Sequence, residues 1–147
     1  MQPLCGELLN EALEKAALGG HLSVIKYLTS TYPSLLAQRG QPQPRLTVPL
    51  KVLLDAVIYN HFPVVKYLVP LFFPDPILPP TTLKSLGSSG NLMMVQFFYK
   101  RLKLTDFRPT LSNAVRDGYP DIVDYLHDKG IYQLEEILLM ETTAQLL

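Results

Sequence analysis

A single cysteine, Cys5, is all the sulfur the chain offers for cross-linking, so no disulfide can form within it. That scarcity points to a reducing, intracellular and cytoplasmic setting. Net charge is lacking too: thirteen basic residues balance thirteen acidic ones. No overall field therefore draws the protein toward nucleic acid or an anionic membrane. Long apolar runs are missing as well. The most apolar stretch, residues 64–73, is too short to cross a bilayer and is interrupted by Lys66 and Pro70. The opening MQPLCGELLNEALEK has no basic segment followed by an apolar one, so it does not read as a secretory leader.

The vocabulary of catalysis is equally thin. There is no G-x-S-x-G elbow, no H-E-x-x-H pair and no G-x-x-x-x-G-K phosphate loop. LGSSGN, residues 86–91, resembles a phosphate cradle only in its letters and reads better as a turn between two helices. Asp117, Asp121 and Asp124 lack the spacing of a calcium loop. They suit the start of a helix, where the helix dipole favours negative charge. His21 and His61 each follow a turn residue, where an imidazole can satisfy backbone groups at a helix start. Zinc would need cysteine or carboxylate companions, and Cys5 stands alone. The expectation is a protein with no catalytic residues, no cofactor and no metal.

What the chain does have is hydrophobic residues, 48% against 18% charged. That is enough for one domain with a sizeable core. It also repeats itself. LEKAALGGHLSVIKYL from Leu13, LLDAVIYNHFPVVKYL from Leu53, LKSLGSSGNLMMVQFF from Leu83 and LSNAVRDGYPDIVDYL from Leu111 share one frame. Three places after the leucine comes Ala16, Ala56, Leu86 or Ala114, and four places later Gly20, Asn60, Gly90 or Gly118. Gly and Asn accept the left-handed conformation that ends a helix. Pro63 and Pro120 then fall where a second helix would start, the one helical turn that tolerates proline. Apolar residues follow at i, i+1, i+3 and i+4, as in Val64, Val65, Tyr67 and Leu68, which is a helical stripe and not a strand alternation. Each unit predicts a helical hairpin.

In these letters the frame resembles the ankyrin repeat, written T-P-L-H-x-A-A-x-x-G-H followed by an apolar second helix. Residues 12–28 match its second half, with Gly20 and His21 in place. TTLKSLGSSGN and PTLSNAVRDGY keep a threonine, a leucine and the glycine. The resemblance covers about residues 8–130. It departs at the T-P-L-H histidine, replaced by Glu14, Leu54, Lys84 and Ser112. The turn positions 20, 60, 90 and 118 are also irregularly spaced around the family's period of about 33.

The expectation is an all-α, ankyrin-like solenoid of about four helical hairpins in a single domain, 1–147. The repeats fall at about 8–36, 50–72, 81–104 and 109–130. Proline-rich inserts at 37–49 and 70–80 are expected as extended loops, and a capping helix at 132–145. The aromatic column Tyr27, Tyr67, Phe97 and Tyr125 is expected to pack between units and anchor the core. A nucleic-acid reading of those rings fails, because Lys26 and Lys66 are succeeded in the frame by Gln96 and Asp124.

The resemblance implies a scaffold for protein–protein interaction, its partner another protein met by the concave face and the inter-repeat loops. It implies neither nucleic-acid binding nor membrane insertion. The positions before each turn would face the partner: Leu18 and Gly19, Ile58 and Tyr59, Ser88 and Ser89, Arg116 and Asp117. Phe72 and Phe73, at the second insert, are further candidates. A rival expectation is a regulatory or targeting domain of a larger enzyme or effector. Whether a second copy of the chain also binds, as a homodimer, stays open.

Overall fold

The computed structural model describes residues 6–42, 47–136 and 138–139. Among them the backbone forms nine α-helices, one π-helical segment and no strand. The chain divides into two compact units, Met1–Pro76 and Ile77–Leu147.

The first unit opens with α1, Gly6–Gly19, a stretch rich in Leu, Ala, Glu and Lys, which are strong helix formers. Its buried residues Leu9, Leu13, Ala16 and Ala17 fall at i, i+4, i+7 and i+8, a single apolar stripe. Gly20 ends the helix at φ 70°, and the His21 N–H donates to the Ala16 carbonyl at 2.9 Å. That is the closing bond of a left-handed helix terminus. The second helix runs as α2, Leu22–Lys26, a π-helical turn, Tyr27–Thr31, and α3, Tyr32–Gln38. The π turn has a local cause. Pro33 has no N–H to give, and its ring would press on the carbonyl one turn back, which a widened turn relieves.

A second hairpin follows in the same frame, α4, Leu50–Ile58, and α5, Phe62–Phe72. Asn60 makes its turn at φ 61°, the one non-glycine with positive φ among the described residues. The His61 N–H again donates to the frame alanine, Ala56, at 2.8 Å. First helix packs on first helix, α1 on α4, and second on second, α2 on α5. Val52, Leu53, Ala56 and Val57 of α4 and Val64, Val65, Leu68 and Val69 of α5 are buried. A Val or Leu side chain so buried contributes roughly 1.5–3 kcal/mol. The hairpins therefore hold each other through apolar stripes.

The second unit repeats the arrangement with α6, Pro80–Ser88, α7, Leu92–Arg101, α8, Arg108–Asp117, and α9, Pro120–Asp128. Here α6 packs on α8 and α7 on α9. Gly90 and Gly118 take the left-handed turn positions, at φ 69° and 80°. Asn91 caps α7 by accepting the Met94 N–H at 3.1 Å. Phe98 and Phe107 are the largest side chains of this core.

Three expectations change. The insert expected at 70–80 as an extended loop begins later, because α5 continues through Pro70 to Phe72. Pro70 sits close enough to the helix end that little ladder follows it, and the Phe73 N–H still donates to the Val69 carbonyl at 3.0 Å. Likewise α3 covers the first residues of the 37–49 insert. The aromatic column does not anchor the core: Tyr27 is 46% exposed and Tyr67, Phe97 and Tyr125 are half-buried. The buried positions are the next in the frame, Leu28, Leu68, Phe98 and Leu126. The capping helix expected at 132–145 lies largely outside the described residues, within which 134–136 and 138–139 are helical. No helix among the described residues is long and apolar enough to cross a membrane.

Candidate protein-binding surface

The residues ahead of each turn end the first helices. In the first unit this leaves Leu18 at the end of α1 and Ile58 and Tyr59 at the end of α4 exposed, at 40%, 44% and 57%. The stripe that buries Ala16, Ala17, Ala56 and Val57 has rotated away by these positions.

The same end of the unit is built with unusual tightness. The ring of His61 lies over Gly20, where a Cβ would collide with it, and its Nε2–H donates to the Leu18 carbonyl at 2.8 Å. His61 therefore does not cap its own helix, as its place at a helix start suggested. It ties the second hairpin's turn to the end of the first hairpin's α1. In the second unit Tyr119, at the same frame position, lies over Gly90 in the same way. Each first-hairpin glycine is thus needed twice, for its positive φ and for the ring that covers it.

Ser88 and Ser89 are spent inside the second unit. Asn113 donates from Nδ2 to the Lys84 carbonyl at 3.0 Å and to Ser88 Oγ at 2.9 Å. Ser89 donates to the Leu86 carbonyl at 2.7 Å and accepts the Asn91 N–H at 3.1 Å. Arg116 and Asp117 are exposed and pair with each other, Nε to Oδ1 at 3.1 Å. Arg116, and secondarily the Ser88 hydroxyl, hold the Asp117 carboxyl below the usual carboxylate range. The structure thus gathers Ser88, Arg116 and Asp117 into one polar cluster. Phe72 and Phe73 are half-buried, and Leu71 beside them is 60% exposed.

A cleft of about 370 Å³ in the second unit was not foreseen. Lys84 and Ser112 line it from the two first helices, with Asp106, Arg108 and Leu134 around them. Arg108 is held across Asp106 by a two-toothed ion pair, Nε and Nη2 to the carboxylate at 2.8–3.0 Å. That pair keeps the Asp106 carboxyl below its ordinary range. The signal was present in the frame, since Lys84 and Ser112 stand where the T-P-L-H histidine is missing. Among the described residues no three His, Cys, Asp or Glu side chains gather as a metal set requires. No family model, curated protein or solved structure matches this chain.

Proposed function

We propose that the hairpins are divergent ankyrin-like repeats stacked as one solenoid, and that the chain is a protein-binding module without catalysis. The observation that carries this reading is the pairing within each unit, first helix on first helix and second on second, in the frame of the repeat. A stack of this kind has a preformed side made of first helices and the loops ahead of them. A partner docking there meets side chains already ordered, which reduces the entropy lost on binding. Leu18, Ile58 and Tyr59 are the anchors, because exposed apolar and aromatic side chains dominate recognition energy once a partner buries them.

The test is a paired affinity capture from cell extract with the natural chain and an Ile58→Ser/Tyr59→Ala variant. Far-ultraviolet circular dichroism should match, since both positions are exposed at a helix end. Proteins retained by the natural chain should disappear from the variant. Recovery of the same proteins by both would remove this face from consideration.

A further inference from the structure

The balanced net charge conceals a segregation between the two kinds of helix. On the first helices, charges mostly find partners within the chain: Lys15 with Glu11 at 3.1 Å, Lys51 with Asp55 at 2.7 Å and Arg116 with Asp117 at 3.1 Å. The second helices differ. No Asp or Glu occurs between Glu14 and Asp55, nor between Asp55 and Asp75, so α2, α3 and α5 carry no acid at all. Their lysines lie over rings instead, Lys26 Nζ 5.7 Å from the Tyr67 centroid and Lys66 Nζ 5.5 Å from that of Phe62. Neither has a carboxylate at ion-pair distance among the described residues.

The last second helix, α9, has the opposite character. Asp121, Asp124 and Asp128 are exposed at i, i+3 and i+7, one stripe of the helix. None of the three forms an ion pair among the described residues. The neighbouring α7 ends in Lys100 and Arg101, yet Arg101 lies over Phe97, 4.7 Å from its centroid. Lys129 lies over Tyr125 at 5.5 Å, and His127 is joined to Glu136 at 3.1 Å.

We infer that the second-helix face of the first unit docks a second copy of this chain, taking the α9 carboxylates of that copy onto Lys26 and Lys66. Charge complementarity selects the occupant, since both halves of the contact are present in one sequence, each without an ion-pair partner among the described residues. Tyr27 and Val24, 46% and 43% exposed, supply apolar area beside the lysines. Surface ion pairs are individually weak. A contact exchanged reciprocally between two copies would form twice. The dimer is accordingly modest in affinity and sensitive to salt.

Sedimentation velocity across a concentration series tests this with two charge-reversed variants, Lys26→Glu/Lys66→Glu and Asp124→Lys/Asp128→Lys. The natural chain should dimerise at low salt, its apparent Kd rising about tenfold or more near 0.5 M salt. Each variant alone should stay monomeric with unchanged helicity. Mixed in equal amounts they should recover the dimer, because every reversed face then meets a reversed partner. A natural chain monomeric at every concentration overturns the inference. So does a dimer indifferent to salt and to both variants, or one that mixing fails to restore. Binding of the monomer to vesicles of phosphatidylserine and phosphatidylcholine through Lys26 and Lys66 would equally overturn it, assigning the face to lipid.

Discussion

The two units meet the same demand, bringing two first helices together, with different materials. In the first, α1 and α4 close through Leu9, Leu13, Ala16 and Ala17 against Val52, Leu53, Ala56 and Val57, with one surface ion-pair network at Lys51. In the second, α6 and α8 bury Leu83 and Leu86, Leu111 and Ala114, and add polar bonds to them. Thr110 Oγ1 donates to the Leu83 carbonyl at 2.9 Å, out of solvent, and Asn113 reaches the Lys84 carbonyl. Gly87 brings α6 directly onto the α8 backbone at Thr110. Apolar surface tolerates small shifts, whereas a backbone contact and directed hydrogen bonds fix one register. The second unit should therefore be the less forgiving of the two.

The largest effect is expected where that contrast is sharpest. Gly87 and Ala17 share a frame position, four after the leading leucine. A Cβ at Gly87 would strike the Thr110 carbonyl, a backbone atom that moves only if α8 moves. Gly87→Ala should destabilise by about 2–3 kcal/mol, at the upper end of overpacking costs. The reciprocal change in the first unit, Ala17→Gly, should cost less, about 1–2 kcal/mol, from helix propensity and one buried methyl. Urea unfolding of both variants measures the difference; equal midpoints would mean that α6 and α8 are not in intimate contact.

Next comes the polar tie. Asn113→Ala removes two hydrogen bonds and leaves the Lys84 carbonyl and Ser88 hydroxyl to find others, at a cost of about 1–2 kcal/mol. Its counterpart in the first unit, Lys51→Ala, removes the ion pairs of an exposed lysine with Asp55 and Glu14 and should move the urea midpoint less.

These positions mark where the sequence was legible and where it was not. Helix pairs could be read because they depend on local letters: a left-handed residue, an apolar stripe, a proline in a first turn. Thr110 was visible too, as the threonine of a repeat motif, and it proves fully buried. Asn113 was not, because its partners lie 25 and 29 residues earlier and one is a backbone carbonyl, which no side-chain pattern announces. Among candidate site residues, Leu18, Ile58 and Tyr59 are exposed where the frame put them. Ser88 and Ser89 had the right register, but the frame could not show that internal bonds consume their hydroxyls. The π turn before Pro33 was hidden for a related reason. It reports how a helix accommodates a proline, and the letters disclose only that the proline is there.

The smallest predicted effect contrasts two tyrosines in one frame position. Thr29 gives its own proton to the Ile25 carbonyl, so it is Tyr67 that donates to Thr29 Oγ1, at 2.9 Å, joining the two hairpins of the first unit. Tyr125 packs edge-on against Tyr99 at 5.8 Å, but its hydroxyl is out of solvent and has no partner among the described residues. Tyr67→Phe should cost about 1 kcal/mol, the loss of one hydrogen bond, whereas Tyr125→Phe should cost nothing or stabilise slightly. Burial first, then the nearby Tyr99 and Asp128, push the Tyr125 hydroxyl above its ordinary pKa. The folded state thus favours the neutral phenol. Its contribution is complete below the unfolded value near 10 and is lost as pH rises through the higher folded value. Thermal melts at rising alkaline pH should fall less steeply for Tyr125→Phe than for the natural chain, while Tyr67→Phe lowers the melt at neutral pH. If the two substitutions prove interchangeable in both measurements, the Tyr125 hydroxyl has a partner after all, and the two units are more alike than their hydrogen bonds indicate.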